Sequence, residues 1–234
     1  MIEAEWWDYD DAAELADAVA GDVGFIIESA LDARGQALIA LPGGKTPGPI
    51  FEKLAKAKID WKRVTIIPTD DRLVAMTDPL SNAALIAKAF LPKGARVLPI
   101  TTDKAADHRM AGKAADARLQ ELHWPPDLVW LGVGADGHTA SIFPGPDLDE
   151  ALNGPKVRRA VGVLPDPLPA EAPVARVTLT KAAILSARTL MLVLTGAEKR
   201  KLLERAIKDG ASSTIPVGRV LADAEQAIDI HWSE

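Results

Sequence analysis

A chain of 234 residues with 48% hydrophobic and 26% charged side chains can bury a sizeable core, so neither a disordered nor a fibrous protein is expected. Its 27 basic against 33 acidic residues leave a formal net charge of −6 with no long basic run, which argues against nucleic acid as a partner. The absence of cysteine excludes disulfide stapling and thiolate zinc sites and leaves the cytoplasm as the expected compartment for one domain over residues 1–234.

The N-terminal stretch MIEAEWWDYDDAAEL is acidic where a secretion signal needs a basic start and an apolar core. Charged residues interrupt every hydrophobic segment before it approaches the ~20 residues that cross a bilayer, so no membrane span is expected. From Asp10 to about Arg34, Leu15, Val19, Val23, Ile26, Ile27 and Leu31 recur at helical spacing before Gly35, which predicts a helix. Gln36 to Leu41 is a nearly continuous apolar run feeding a Pro-Gly-Gly turn, the pattern of a strand buried on both faces. Pro47 can open a helix. The alternation continues with a strand at Val64 to Pro68, a helix at Ser81 to Phe90 and a short strand at Arg96 to Ile100. A long helix from about Lys104 to His123 and an apolar strand at Asp127 to Gly132 come next. Strands near Arg159 to Val163, Val174 to Leu179 and Thr189 to Leu194 precede a last helix at Gly196 to Lys208, and the Pro-rich piece from Leu164 to Pro173 reads as a surface loop. Strands separated by helices need crossover connections, so the expected fold is a three-layer α/β, Rossmann-like arrangement with a mainly parallel sheet between helices. Ligands in such folds bind beyond the carboxyl ends of the strands.

Three segments could carry chemistry there. In LPGGKTP, residues 41–47, glycines let the backbone approach a ligand, helix-start amides point outward, and Lys45 and Thr46 add a charge and a hydroxyl. An anion fits, and so does an ordinary tight turn. The segment is no Walker A loop, because Ile39 stands where that motif needs glycine. GVGADG, residues 132–137, satisfies GxGxxG, but Pro144 and Pro146 intervene where a dinucleotide fingerprint needs a long helix. What remains is a glycine-rich loop presenting Asp136 and His138. Imidazole ordinarily titrates near pH 6.5 and suits a general base oriented by a carboxylate. The alternative is a histidine satisfied by its own loop. Ser141 lies in no GxSxG elbow, and the four histidines show no metal-binding spacing. In DDRLV, residues 70–74, with DPLSN at 78–82, Arg72 could fork onto an oxygen while the aspartates hold it or accept sugar hydroxyls. A solvated loop with a helix cap at Ser81 is the plainer reading. Arg176 in RVTLT and Lys199 in GAEK are two further cations.

Taken in order, PGGKTP, DDRLV with DPLSN, LGVGADGHTASIFPG, RVTLT and GAEK resemble the 6-phosphogluconolactonase branch of the family that also holds glucosamine-6-phosphate isomerases. The resemblance covers nearly the whole chain. It implies hydrolysis of 6-phosphoglucono-1,5-lactone to 6-phosphogluconate in the oxidative pentose phosphate pathway, with no cofactor and no metal. It further implies that Gly43, Gly44, Lys45, Thr46, Arg176 and Lys199 hold the phosphate, that Arg72, Asp70, Asn82 and Gly134 meet the rest of the substrate, and that His138, oriented by Asp136, is the base. The chain departs from the family pattern with Asp71 for the usual glutamate, Lys45 for a small hydroxyl residue and Ala83 for an aromatic one.

Two other functions are open to such a fold. The isomerase or deaminase branch continues its Gly-His loop into a Phe-Asn-Glu-Pro segment and carries an aromatic hydroxyl after its acidic pair, whereas this chain has Phe143-Pro144 and Arg72. A non-catalytic sugar-phosphate sensor would need a DNA-binding module, and the first helix begins too early to leave room for one.

Overall fold

The computed structural model describes residues 2–102 and 107–234. In chain order the elements are β1 (Ala4–Tyr9), α1 (Ala12–Arg34), β2 (Ala37–Leu41), α2 (Pro47–Leu54), β3 (Val64–Pro68), β4 (Asp70–Arg72), α3 (Asn82–Phe90), β5 (Arg96–Val97) and α4 (His108–Gln120). They continue with β6 (Leu128–Leu131), α5 (Leu148–Asn153), β7 (Ala160–Val163), β8 (Arg176–Leu179), α6 (Lys181–Leu185), β9 (Thr189–Thr195), α7 (Ala197–Asp209), α8 (Pro216–Leu221) and β10 (Ile228–Ser233).

Capping decides where α1 begins and ends. The Asp11 carboxylate accepts from the amides of Ala13 and Glu14, and Gly35 closes the helix in the left-handed region at φ 75°, where a side chain would be strained. Between those caps Leu15, Val19, Val23 and Ile27 lie on the buried face.

Seven strands form one sheet in the order β1-β10-β9-β6-β2-β3-β5, and every pairing in it is parallel. Strand β2 shows why both faces must be covered. Ala37, Ile39 and Leu41 join one apolar cluster, with the buried faces of α1, α2 and α3; Leu38 and Ala40 join the other, with α4, α7 and α8. That two-residue alternation makes a three-layer α/β fold, as the sequence predicts.

Several boundaries and pairings differ from the sequence reading. β1 and β10 were not anticipated, and they pair with each other at the sheet edge. The strand expected at Arg96 to Ile100 keeps only Arg96 and Val97, because Pro99 has no amide for the ladder. The helix expected from Lys104 is observed from His108, its capping residue being Asp107, and residues 103–106 lie outside the described residues. β7 and β8 leave the parallel sheet and form a separate antiparallel one with β4, in the order β4-β8-β7. Their backbone groups find partners through reversal of the chain, which no local periodicity records.

α4 lies close against that small sheet. A Cβ on Gly112 would stand 2.0 Å from the amide nitrogen of Gly162, and one on Gly162 would stand 1.6 Å from the carbonyl oxygen of His108. Two glycines therefore permit a backbone-to-backbone seam between helix and strand.

Candidate active site

The segments following β2, β6 and β9 meet at the carboxyl edge of the parallel sheet around a cleft of about 190 Å³. β6 lies between β2 and β9, and the helices that follow the outer two depart to opposite faces, α2 to one apolar cluster and α7 to the other. Such a divergence opens a crevice in a doubly wound sheet.

The turn after β2 lines one wall. Gly44 adopts φ 99°, Thr46 stands before the first turn of α2 without making a capping bond, and Lys45 is exposed with no ion pair among the described residues. Gly43 packs so tightly that the side chain of Asn82, the first residue of α3, occupies the space a Cβ would need. The Asn82 amide donates to the carbonyl of Asp70 at 2.8 Å, and its Oδ1 accepts from Nη1 of Arg72. Asp71, fully buried, points away from the cleft and accepts from the amides of Arg72, Asn82 and Ala83 at 2.9, 2.7 and 3.0 Å. Burial pushes its pKa up to about 6, against the pull of those amides. One carboxylate thus ties β4 to the start of α3.

Arg72 and Arg176 are Cα partners across β4 and β8, so their side chains leave the small sheet on the same face and into the same cleft. Like charges so placed repel. The Nε atoms of both guanidinium groups are buried without a hydrogen-bond partner among the described residues, a costly arrangement. Burial lowers the Arg176 pKa and the Arg72 charge adds to that, while Asp70 opposes both. Asp70 is itself fixed by the Ser141 hydroxyl, which donates to it at 2.5 Å.

His138 stands on the glycine-rich loop after β6. Gly137 turns the chain at φ 81°, and a Cβ on Gly134 would lie 2.2 Å from Nδ1 and Cε1 of the His138 ring, so a glycine there is what lets the ring lie against the loop. Nδ1 is 2.5 Å from Oδ1 of Asp136, which also accepts from the His138 amide at 3.1 Å. Burial works against ionisation of Asp136, yet its hydrogen bond with His138 and the attraction between the two hold its pKa below the ordinary 3.8. An ionised carboxylate can only accept, so in the neutral imidazole Nδ1 carries the hydrogen and Nε2 keeps its lone pair. Nε2 has no partner among the described residues, and the ring lines the cleft.

Of the twelve residues singled out from the sequence, eleven line this one cleft: Gly43, Gly44, Lys45, Thr46, Asp70, Arg72, Asn82, Gly134, His138, Arg176 and Lys199. Asp136 alone does not, being engaged with His138. Lys199 reaches the cleft from the first turn of α7 and makes no ion pair among the described residues. The sequence reading left three contributors without a place. Trp130 and Val193 line the cleft from β6 and β9, and Ser141 braces Asp70. Trp130 and Val193 read only as core, whereas Ser141 carried a signal, a hydroxyl inside the most distinctive motif.

The sequence pattern described as glucosamine-6-phosphate isomerases/6-phosphogluconolactonase matches residues 10–232. The chain belongs to this family. Among its relatives is the 6-phosphogluconolactonase of Rhizobium meliloti, 36% identical over 230 residues that make up 96% of this chain and 97% of that one. The 6-phosphogluconolactonase of Pseudomonas putida is 34% identical over 225 residues, covering 95% and 90% of the two chains. Among solved structures, a 6-phosphogluconolactonase from Shewanella baltica superposes with a TM-score of 0.90 at 30% identity over 99% of this chain and 98% of that one. A monomeric glucosamine-6-phosphate deaminase, 16% identical with a TM-score of 0.80 over 98% and 97% of the chains, shares the fold.

Proposed function

We propose that this protein is a 6-phosphogluconolactonase, a cytoplasmic enzyme of sugar-phosphate metabolism. In this reading, residues 1–234 act as one domain that hydrolyses 6-phosphoglucono-1,5-lactone to 6-phosphogluconate. The observation that carries the reading is the meeting, in one cleft, of four cationic side chains from distant segments with an imidazole whose Nε2 has no partner among the described residues.

The phosphate lies among the amides of Gly43 and Gly44, the Thr46 hydroxyl and the cations of Lys45, Arg176 and Lys199. Asp70 and Asn82 meet the sugar hydroxyls, and Gly134 lines the cleft where it backs the His138 ring. Nε2 of His138 takes a proton from a water molecule as its oxygen attacks the C1 carbonyl. Arg72 stabilises the negative charge that develops on the carbonyl oxygen. The bond from C1 to the ring oxygen then breaks, and the imidazolium returns its proton to that oxygen. The new carboxylic acid ionises, so each turnover releases one proton. Asp136 holds the tautomer throughout and stabilises the imidazolium.

Proton release in a pH-stat on freshly prepared 6-phosphogluconolactone, corrected for spontaneous hydrolysis, tests this directly. Catalysed release with the phosphorylated lactone and little with unphosphorylated gluconolactone is the expected result. Release no faster than the spontaneous rate overturns it.

A further inference from the structure

Phe143 lies five residues beyond His138 on the same loop and is 8% exposed. Its ring stacks on the His138 imidazole, with centroids 4.1 Å apart and planes at 24°, and the Arg176 guanidinium carbon lies 4.9 Å from the same ring's centroid. A single aromatic side chain therefore touches both the proposed base and a proposed phosphate ligand.

A hydrogen bond through Nδ1 fixes where that nitrogen points, but it leaves the imidazole free to rock about the axis of the bond. Asp136, on the far side of that bond, has a side chain 56% exposed and does not restrain the tilt by packing. A face-to-face contact does. Phe143 is well held for the purpose, because the residues before it are locked. Thr139, Ser141 and Ile142 are fully buried, Thr139 and Ile142 form a β-bridge, and the Ser141 amide donates to the Thr178 hydroxyl of β8 at 3.1 Å. The small antiparallel sheet thus supports the turn, and the turn supports the ring. The aromatic face also attracts cations, so it favours the imidazolium formed when His138 takes its proton.

We infer that Phe143 is a positioning residue for hydrolysis, setting the tilt of the His138 ring so that Nε2 meets the attacking water. The inference rests on the assignment of His138 as the base. Phe143→Leu keeps an apolar side chain of similar size while removing the flat face. The expected result is a kcat lowered roughly tenfold with KM changed by less than about twofold, and recovery of most of the loss in Phe143→Tyr. A contact that acts through His138 has nothing left to position once the imidazole is gone. In a His138→Ala background, assayed at enzyme concentrations high enough to exceed spontaneous hydrolysis, Phe143→Leu should therefore cost less than about twofold further.

An unchanged kcat in Phe143→Leu overturns the inference, as does a loss that appears in KM alone, which would place the role in Arg176. A full loss that persists in the His138→Ala background overturns it too, and leaves the base assignment intact. If His138→Ala by itself turns over like the unaltered enzyme, the base assignment fails and this inference with it. Should Phe143→Leu melt at a markedly lower temperature, Phe143→Met supplies the same comparison with a more adaptable side chain.

Discussion

Gly43 and Asn82 interlock so closely that a Cβ on the glycine would stand 1.8 Å from the amide oxygen of the asparagine. The contact joins the turn after β2 to the start of α3, and Asn82 in turn holds the Arg72 guanidinium and the Asp70 carbonyl. Gly43→Ala must therefore push Asn82 away and misplace Arg72. Shifts of about 1 Å in a catalytic constellation cost on the order of 10²-fold, and we expect a loss of that size in kcat/KM while the far-UV circular dichroism stays that of the unaltered protein. Activity within a few-fold of normal would show that Asn82 yields without consequence.

The base and the phosphate cradle separate kinetically. His138→Ala removes general-base assistance, worth roughly 10² to 10⁴ in rate, and should lower kcat by about that factor with little change in KM. Lys199→Ala removes one charge-assisted contact and should raise KM about 10- to 100-fold while leaving kcat closer to normal. Steady-state kinetics on the two variants decide the matter, and an exchange of the two patterns would reverse the assignment of the two ends of the cleft.

Acid stability provides a test away from the cleft. His231 is 2% exposed, hydrogen bonded to the Tyr9 hydroxyl at 2.9 Å and stacked with Tyr9 and Trp7. Burial lowers its pKa from 6.5 to about 4. The unfolded chain binds a proton there before the folded one does, so this residue costs stability as pH falls from about 6.5 towards 4. Asp71 works the other way. Its folded pKa of about 6 lies above the ordinary 3.8, so its contribution is full below 3.8 and is lost as pH rises through 6. Each effect amounts to roughly 3 kcal/mol over its window, so the two nearly offset between pH 4 and 6.5. His231→Phe keeps the aromatic stack and removes the titration. Its urea midpoint, compared with that of the parent at each pH, should gain relative stability on going from pH 7 to 4.5. Parallel curves for the two proteins would remove His231 from the account.

The sequence displayed some of this arrangement and hid the rest for physical reasons. Helix α1 and strand β2 are legible because each depends on its own residues, the helix on a stripe between two caps and the strand on apolar side chains facing both layers. β1 carries Trp-Trp-Asp, a mixed sequence suited to a partly covered edge, β10 carries Asp-Ile-His-Trp, whose polar residues obscure its strand signature, and their pairing spans almost the whole chain. β4 reads as a charged loop, since Asp-Asp-Arg has no strand signature; its residues extend because β8 pairs with them and because Asp71 spends its charge on backbone amides. Within the site, residue types and their order along the chain pointed to the cleft. The cross-strand pairing of Arg72 with Arg176 and the stack of Phe143 on His138 are long-range or conformational facts that no local spacing encodes.

The family resemblance gives glutamate where this chain has Asp71, the carboxylate that ties β4 to the start of α3. A carboxylate on the longer side chain reaches roughly 1.5 Å further from its strand. The shorter one accepts from the amides of Asn82 and Ala83 at the start of α3, and the Asn82 side chain lies against Gly43. One buried carboxylate thus holds the residue that faces the turn. Lengthening the side chain at position 71 would have to disturb the bonds that fix the first turn of α3, and Asn82 with them.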